Sequence, residues 1–85
     1  QATAIPRALE AAVASFERGE KRVGALLGPV KEALVAAGGT IDYIEIADDL
    51  TLAPLPSDQV LVAPAVLAVA VFFGGVRLID NAALG

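Results

Sequence analysis

The chain has 85 residues, with 6 basic side chains against 10 acidic ones for a formal net charge of −4, and it contains no Cys, His, Met or Trp. That length supports one cored domain burying roughly 60–65% of its unfolded surface, and leaves no room for a second. Without Cys there is no disulfide, thiolate nucleophile or cysteine-held zinc, and without His the usual proton shuttle and commonest metal ligand are missing; the acidic balance disfavours nucleic acid and anionic lipid as partners.

Hydrophobic residues make up 56% of the chain and charged ones 19%, the balance of a globular rather than a disordered sequence. The chain opens on Gln1 in what already reads as helix, as a processed product or a piece of a longer protein would. No secretory signal is recognisable, because acidic and basic groups interleave through the first turns; the expected compartment is the cytoplasm. Ile5, Leu9, Ala12, Val13 and Phe16 recur at steps of three and four and predict a first helix, with Thr3 as a candidate cap and Pro6 in its first turn. Gly19 ends it. Val23, Leu26, Leu27, Val30, Leu34 and Val35 form a second stripe, so a helical hairpin is expected, with a kink or restart at Gly28-Pro29 and a stop at Gly38-Gly39.

From Thr40 the period changes to two. Ile41, Tyr43 and Glu45 are expected on one face of a strand, with Asp42, Ile44 and Ile46 on the other. Asp48, Asp49, Pro54, Pro56, Ser57 and Asp58 mark a long connection, with a short extended piece at Val60–Val62. The uncharged stretch from Gln59 to Val76 is broken by Pro64 and Gly74-Gly75 and is too short between breaks to span a membrane as a helix. It reads instead as a strand over Val66–Phe73, a Gly74-Gly75 turn and a strand over Val76–Asp80. The nearly continuous apolar character of Val66–Phe73 calls for cover on both faces, either from within the chain or from something outside it. The predicted class is α+β, a two-helix hairpin packed on a small three-stranded antiparallel sheet.

Candidate chemistry is sparse. Asp42, Glu45, Asp48 and Asp49 are the only concentration of carboxylates; as oxygen ligands they suit Mg²⁺ or Ca²⁺, but they lack calcium-loop spacing and read first as solvated strand ends. Ser15 and Ser57 have no His to activate them, and Gly24, Gly28, Gly38 and Gly39 lack the spacing and Lys of a phosphate loop. Arg77 reads as half of a structural ion pair: Asp80 is near in sequence but on the other face by parity, and cross-strand Glu45 is an equal candidate. Tyr43 reads as core or rim, and Asn81 as a turn residue. The sequence names no catalytic, ATP-binding or metal residue.

Two passages stand apart: Ala2-Thr3-Ala4-Ile5-Pro6-Arg7-Ala8-Leu9 at the start, and Pro64 to Asn81 at the end, with Gly74-Gly75-Val76-Arg77-Leu78-Ile79-Asp80-Asn81 as their most specific part. With Ile41-Asp42-Tyr43-Ile44-Glu45-Ile46 and Thr51-Leu52-Ala53-Pro54-Leu55 between them, the chain resembles the C-terminal domain of the pantothenate synthetase (pantoate:β-alanine ligase) family along its whole length. Phe72 stands where that family usually has Arg, the Gln59–Ala63 segment is extra, and Gly28-Pro29 interrupts a helix that is usually uninterrupted. The resemblance implies a lid domain, residues 1–85, of a two-domain cytoplasmic and homodimeric ligase. That enzyme activates pantoate as an adenylate with ATP and Mg²⁺, and β-alanine then displaces AMP. The His-x-Gly-His and Ser-Ser-Arg-Asn motifs of the family lie in or just after its N-terminal nucleotide-binding domain and do not occur here, so ATP and Mg²⁺ are expected to be bound mainly by that domain. The implied partners are the N-terminal domain, ATP, pantoate and β-alanine, with no nucleic acid and no membrane. The alternative from another class is a free-standing interaction module that dimerises or binds a partner through its apolar hairpin.

Overall fold

A computed structural model describes residues 3–85. The helical reading of Gln1 and the Ala2 of the matched run lie outside them. Two helices, α1 (Ala4–Glu17) and α2 (Val23–Ala36), are followed by three strands, β1 (Thr40–Asp48), β2 (Ala65–Phe73) and β3 (Val76–Leu84). The strands form one antiparallel sheet in the order β1-β2-β3, with β2 in the middle. α1 packs on α2 and over β3, while α2 packs over β1, so both helices cover the same face of the sheet. The α+β arrangement expected from periodicity is the one observed.

The predicted stripe of α1 buries Ile5, Leu9 and Ala12 and adds Ala8, with Val13 and Phe16 half-buried against the core. Thr3 occupies the cap position without a side-chain hydrogen bond. Both helices close in the same way. The amides of Gly19 and Glu20 donate to the carbonyls of Phe16 and Ser15, and those of Gly38 and Gly39 donate to Val35 and Leu34, the paired bonds of a Schellman cap. Gly19 and Gly38 take the positive φ such a cap requires. Gly39 is fixed by space: a Cβ there would lie 2.6 Å from Val71 Cγ1 and 2.9 Å from the Leu34 carbonyl.

α2 runs without a break through Pro29, so the expected restart does not occur. Packing of Val23, Leu26, Val30 and Leu34 against the sheet holds the helix across a residue that has no amide hydrogen to donate to Ala25. Val35, assigned to the buried stripe by periodicity, is 53% exposed. The first turn of α2 is capped by the long connection rather than by its own side chains. Val23 and Gly24 donate to the carbonyls of Gln59 and Ser57, Leu61 N–H donates to the Lys21 carbonyl, and Leu61 itself enters the core. The extended piece expected at Val60–Val62 is present as a bridge between Val60 and Arg22.

β1 carries a bulge at Asp42, since Ile41 is opposite Val71 while Tyr43 is already opposite Ala70. The extra residue reverses the alternation, so Ile41 joins Ile44 and Ile46 on the core side instead of sharing a face with Tyr43 and Glu45. Gly74 and Gly75, at φ 57° and 85°, make the two-residue turn between β2 and β3 that favours positive φ at both positions. β3 continues to Leu84, beyond the expected end at Asp80, because Asn81 to Leu84 pair with Ala68 to Ala65. Asn81 is therefore a strand residue and not a turn residue. No helix among the described residues is long and apolar enough to cross a membrane.

Candidate functional site

With both helices on one side, the other side of the sheet is left open. Tyr43, Glu45 and Ala47 of β1, Val66, Ala68, Ala70 and Phe72 of β2, and Arg77, Ile79, Asn81 and Ala83 of β3 share it, as the pairing register and the period of two require. Ala70 and Ala47 are small enough to be buried by their neighbours, whereas Tyr43 and Phe72 are each 36% exposed and Ile79 is 58% exposed. Of the two sources of cover open to Val66–Phe73, the chain supplies only one: helices seal Leu67, Val69 and Val71, and nothing among the described residues covers Phe72.

The polar groups of this face are arranged by the bulge. Arg77 sits opposite Phe72, and its guanidinium crosses β2 to reach Asp42 on β1, with Nη2 2.9 Å and Nε 3.0 Å from the same carboxylate oxygen, Oδ2. Its partner is thus Asp42, and neither Glu45 nor Asp80. Parity placed Asp42 on the core side; the bulge turns its side chain outward beside Tyr43, whose ring centre lies 6.0 Å from the Arg77 guanidinium carbon. Both members of the pair are about two-fifths exposed, so the contact orients side chains more than it stabilises the fold.

The remaining carboxylates of the sequence cluster do not converge. Asp48 Oδ1 accepts the amides of Leu50 and Thr51 at 2.8 and 2.9 Å, and those bonds, Thr51 first and Leu50 second, hold its carboxyl below the usual aspartate range. This turn also places Leu52, a non-glycine residue, at φ 60°. Asp80 Oδ1 accepts the neighbouring Asn81 amide at 2.8 Å. Among the described residues no three His, Cys, Asp or Glu side chains come together to hold a metal ion. Standing apart, these carboxylates form no all-protein site for the Mg²⁺ implied by the resemblance.

A family model described as pantoate-beta-alanine ligase matches residues 1–83. The chain belongs to the pantoate-beta-alanine ligase family. It is 43% identical over 81 residues to the pantothenate synthetase of Syntrophobacter fumaroxidans, covering 94% of this chain and 28% of that protein. With the pantothenate synthetase of Myxococcus xanthus it shares 43% identity over 88 residues, all of this chain and 29% of the relative. Its fold is similar to that of the solved pantothenate synthetase from Thermus thermophilus, with a TM-score of 0.72 and 38% identity over 93% of this chain and 28% of that one. The chain thus spans somewhat over a quarter of the length of these pantoate-beta-alanine ligase relatives.

The run from Gly74 to Asn81 has a structural account. Gly74 and Gly75 make the turn, Leu78 packs toward the core, and Arg77 and Ile79 face the open side. The bulge at Asp42 and the Arg77–Asp42 pair escaped sequence reading, because a single extra residue in a strand has no periodic signature.

Proposed function

We propose that this chain is the C-terminal lid domain of a cytoplasmic, homodimeric pantothenate synthetase, the ATP-dependent ligase that joins pantoate to β-alanine through a pantoyl adenylate. The observation that carries this reading is the uncovered apolar face of the sheet in a chain that spans only 28% of a family relative. An acyl adenylate is open to attack by water as well as by an amine. A surface bearing Phe72, Ile79 and Tyr43, closed over the reacting carbonyl, excludes the water while β-alanine displaces AMP. That work takes shape and apolar area, and asks for no proton-transfer group from this chain. ATP and Mg²⁺ are held, on this reading, by the nucleotide-binding portion.

The test is to produce the whole ligase containing this chain and measure pantothenate and AMP from ATP, pantoate and β-alanine. Phe72→Lys and Ile79→Lys are expected to lower pantothenate formation at least tenfold and to raise AMP released per pantothenate above one, as adenylate is lost to water. A whole ligase that forms no pantothenate, or lysine variants with an unchanged yield of pantothenate per AMP, overturns the reading.

A further inference from the structure

Arg77 is the only basic side chain on the open face. The other basic residues, Arg7, Arg18, Lys21, Arg22 and Lys31, belong to the helices and the link between them, and the helices cover the opposite face. The remaining charged groups beside Arg77, Asp42 and Glu45, are acidic. Its apolar surroundings are the patch that excludes water: Phe72 is its cross-strand partner, Ile79 follows it on the same face, and the Tyr43 ring centre lies 6.0 Å from the guanidinium carbon.

Asp42 occupies only one edge of the guanidinium. Nε and Nη2 converge on a single oxygen, Oδ2. The Nη1–Nη2 edge, whose parallel N–H groups match a carboxylate or a phosphate, meets no acceptor among the described residues. Both side chains of the pair are part-exposed, so water satisfies that edge while the face is open. Closure of the face removes the water. Charged donors left unpaired in an apolar patch are costly, and the cost is relieved when closure brings an oxyanion to them.

We propose that Arg77 binds a substrate oxyanion through its free Nη1–Nη2 edge as the face closes, and that Asp42 is the positioning residue that fixes the guanidinium. This rests on the reading of the chain as a ligase lid, and it names what the lid recognises. The reaction offers two sources of that chemistry, the phosphate oxygens of the nucleotide and the carboxylate of β-alanine; the carboxylate of pantoate is consumed in forming the adenylate. A surface bearing only Asp42 and Glu45 would repel either anion. Arg77 gives it one attractive point, so that closure is favoured when substrate is present.

The experiment is half-reaction and steady-state kinetics on the whole ligase carrying Arg77→Gln, Arg77→Lys or Asp42→Asn. Exchange of pyrophosphate into ATP with pantoate present reports adenylate formation without β-alanine. Arg77→Gln is expected to slow that exchange at least tenfold where the oxyanion is a phosphate, or to leave it intact and raise the KM for β-alanine at least tenfold where it is the carboxylate. Arg77→Lys keeps the charge without the fork and should fall between the parent and Arg77→Gln, while Asp42→Asn should show the same defect to a smaller extent. Urea midpoints of the 85-residue chain should barely move for any of the three. Changes below tenfold in both measurements for Arg77→Gln overturn the proposal. So does an Asp42→Asn variant as damaged as Arg77→Gln with lowered urea midpoints in both, which identifies a structural tie between β1 and β3. An unaffected Arg77→Gln beside Phe72→Lys and Ile79→Lys variants that lose adenylate to water removes the oxyanion contact and leaves the lid standing. A defective Arg77→Gln beside lysine variants with unchanged yield retains the contact and removes the water-excluding lid. A ligase that supports neither the exchange nor pantothenate formation overturns both.

Discussion

Asp48 shows how much a single side chain organises in the long connection. Its carboxylate accepts the Leu50 and Thr51 amides, its carbonyl accepts the Leu52 amide, and its own amide donates to the Ala53 carbonyl. Those bonds favour the ionised form, so the folded-state pKa lies below the ordinary value of 3.8. The sign follows from linkage. The stabilisation is fully present above the unfolded pKa and is lost as pH falls through the lower folded value. Urea titrations of the chain and of Asp48→Ala are expected to show a stability difference that is constant from pH 7 to pH 5 and shrinks on acidification below about pH 4. A difference that grows as the pH drops would contradict the assignment. Lys21 does comparable local work: its ammonium donates to the Phe16 carbonyl at 3.2 Å and lies 3.5 Å from the centre of the Phe16 ring, favouring the C-terminal end of α1.

At the scale of elements, α2 is the informative case, since the same residue type plays opposite parts in it and just past it. Gly39 lies where the cap turns into β1, and an added methyl would press on Val71 and the Leu34 carbonyl. Gly28 is in the helix interior with open space around its Cα. Gly39→Ala is expected to destabilise by about 1–3 kcal/mol through overpacking. Gly28→Ala should stabilise by about 0.5–1 kcal/mol through helix propensity and a less flexible unfolded chain. Chemical denaturation midpoints of the two variants moving in the same direction would show that the junction at Gly39 is not sterically closed. Sequence periodicity captured the helix stripes apart from Val35, and turn chemistry both glycine stops and the hairpin turn, because each is a local matter of spacing or of φ. The kink or restart expected at Pro29 was a local inference too, and the restart does not occur because Leu26, Val30 and Leu34 are fully or almost fully buried. Burial of such side chains, about 1.5–3 kcal/mol each, outweighs the roughly 3 kcal/mol cost of a proline inside a helix.

For the whole molecule, the decisive property is a two-layer fold in which the described residues cover only one face of the sheet. As the 85-residue chain alone, the protein is expected to self-associate through that face. Light scattering should report a mass above the monomer's 8.6 kDa at high concentration. Phe72→Lys with Ile79→Lys should return it to monomer, since both side chains are exposed and their replacement leaves the core intact. A strict monomer at millimolar concentration would argue that the open face is not adhesive.

The amino-acid sequence by itself determined the α+β class, the order of elements, the glycine caps, the Gly74-Gly75 hairpin and membership of the ligase family, because these depend on periodicity, on positive φ and on an ordered run of residue types. Only the tertiary structure decided that a bulge turns Asp42 outward to Arg77, that the loop carbonyls of Ser57 and Gln59 cap α2, and that the Phe72 face and the β3 edge stay open. Those features depend on which distant segments meet and in what register, and residue spacing along one strand carries no information about its partner.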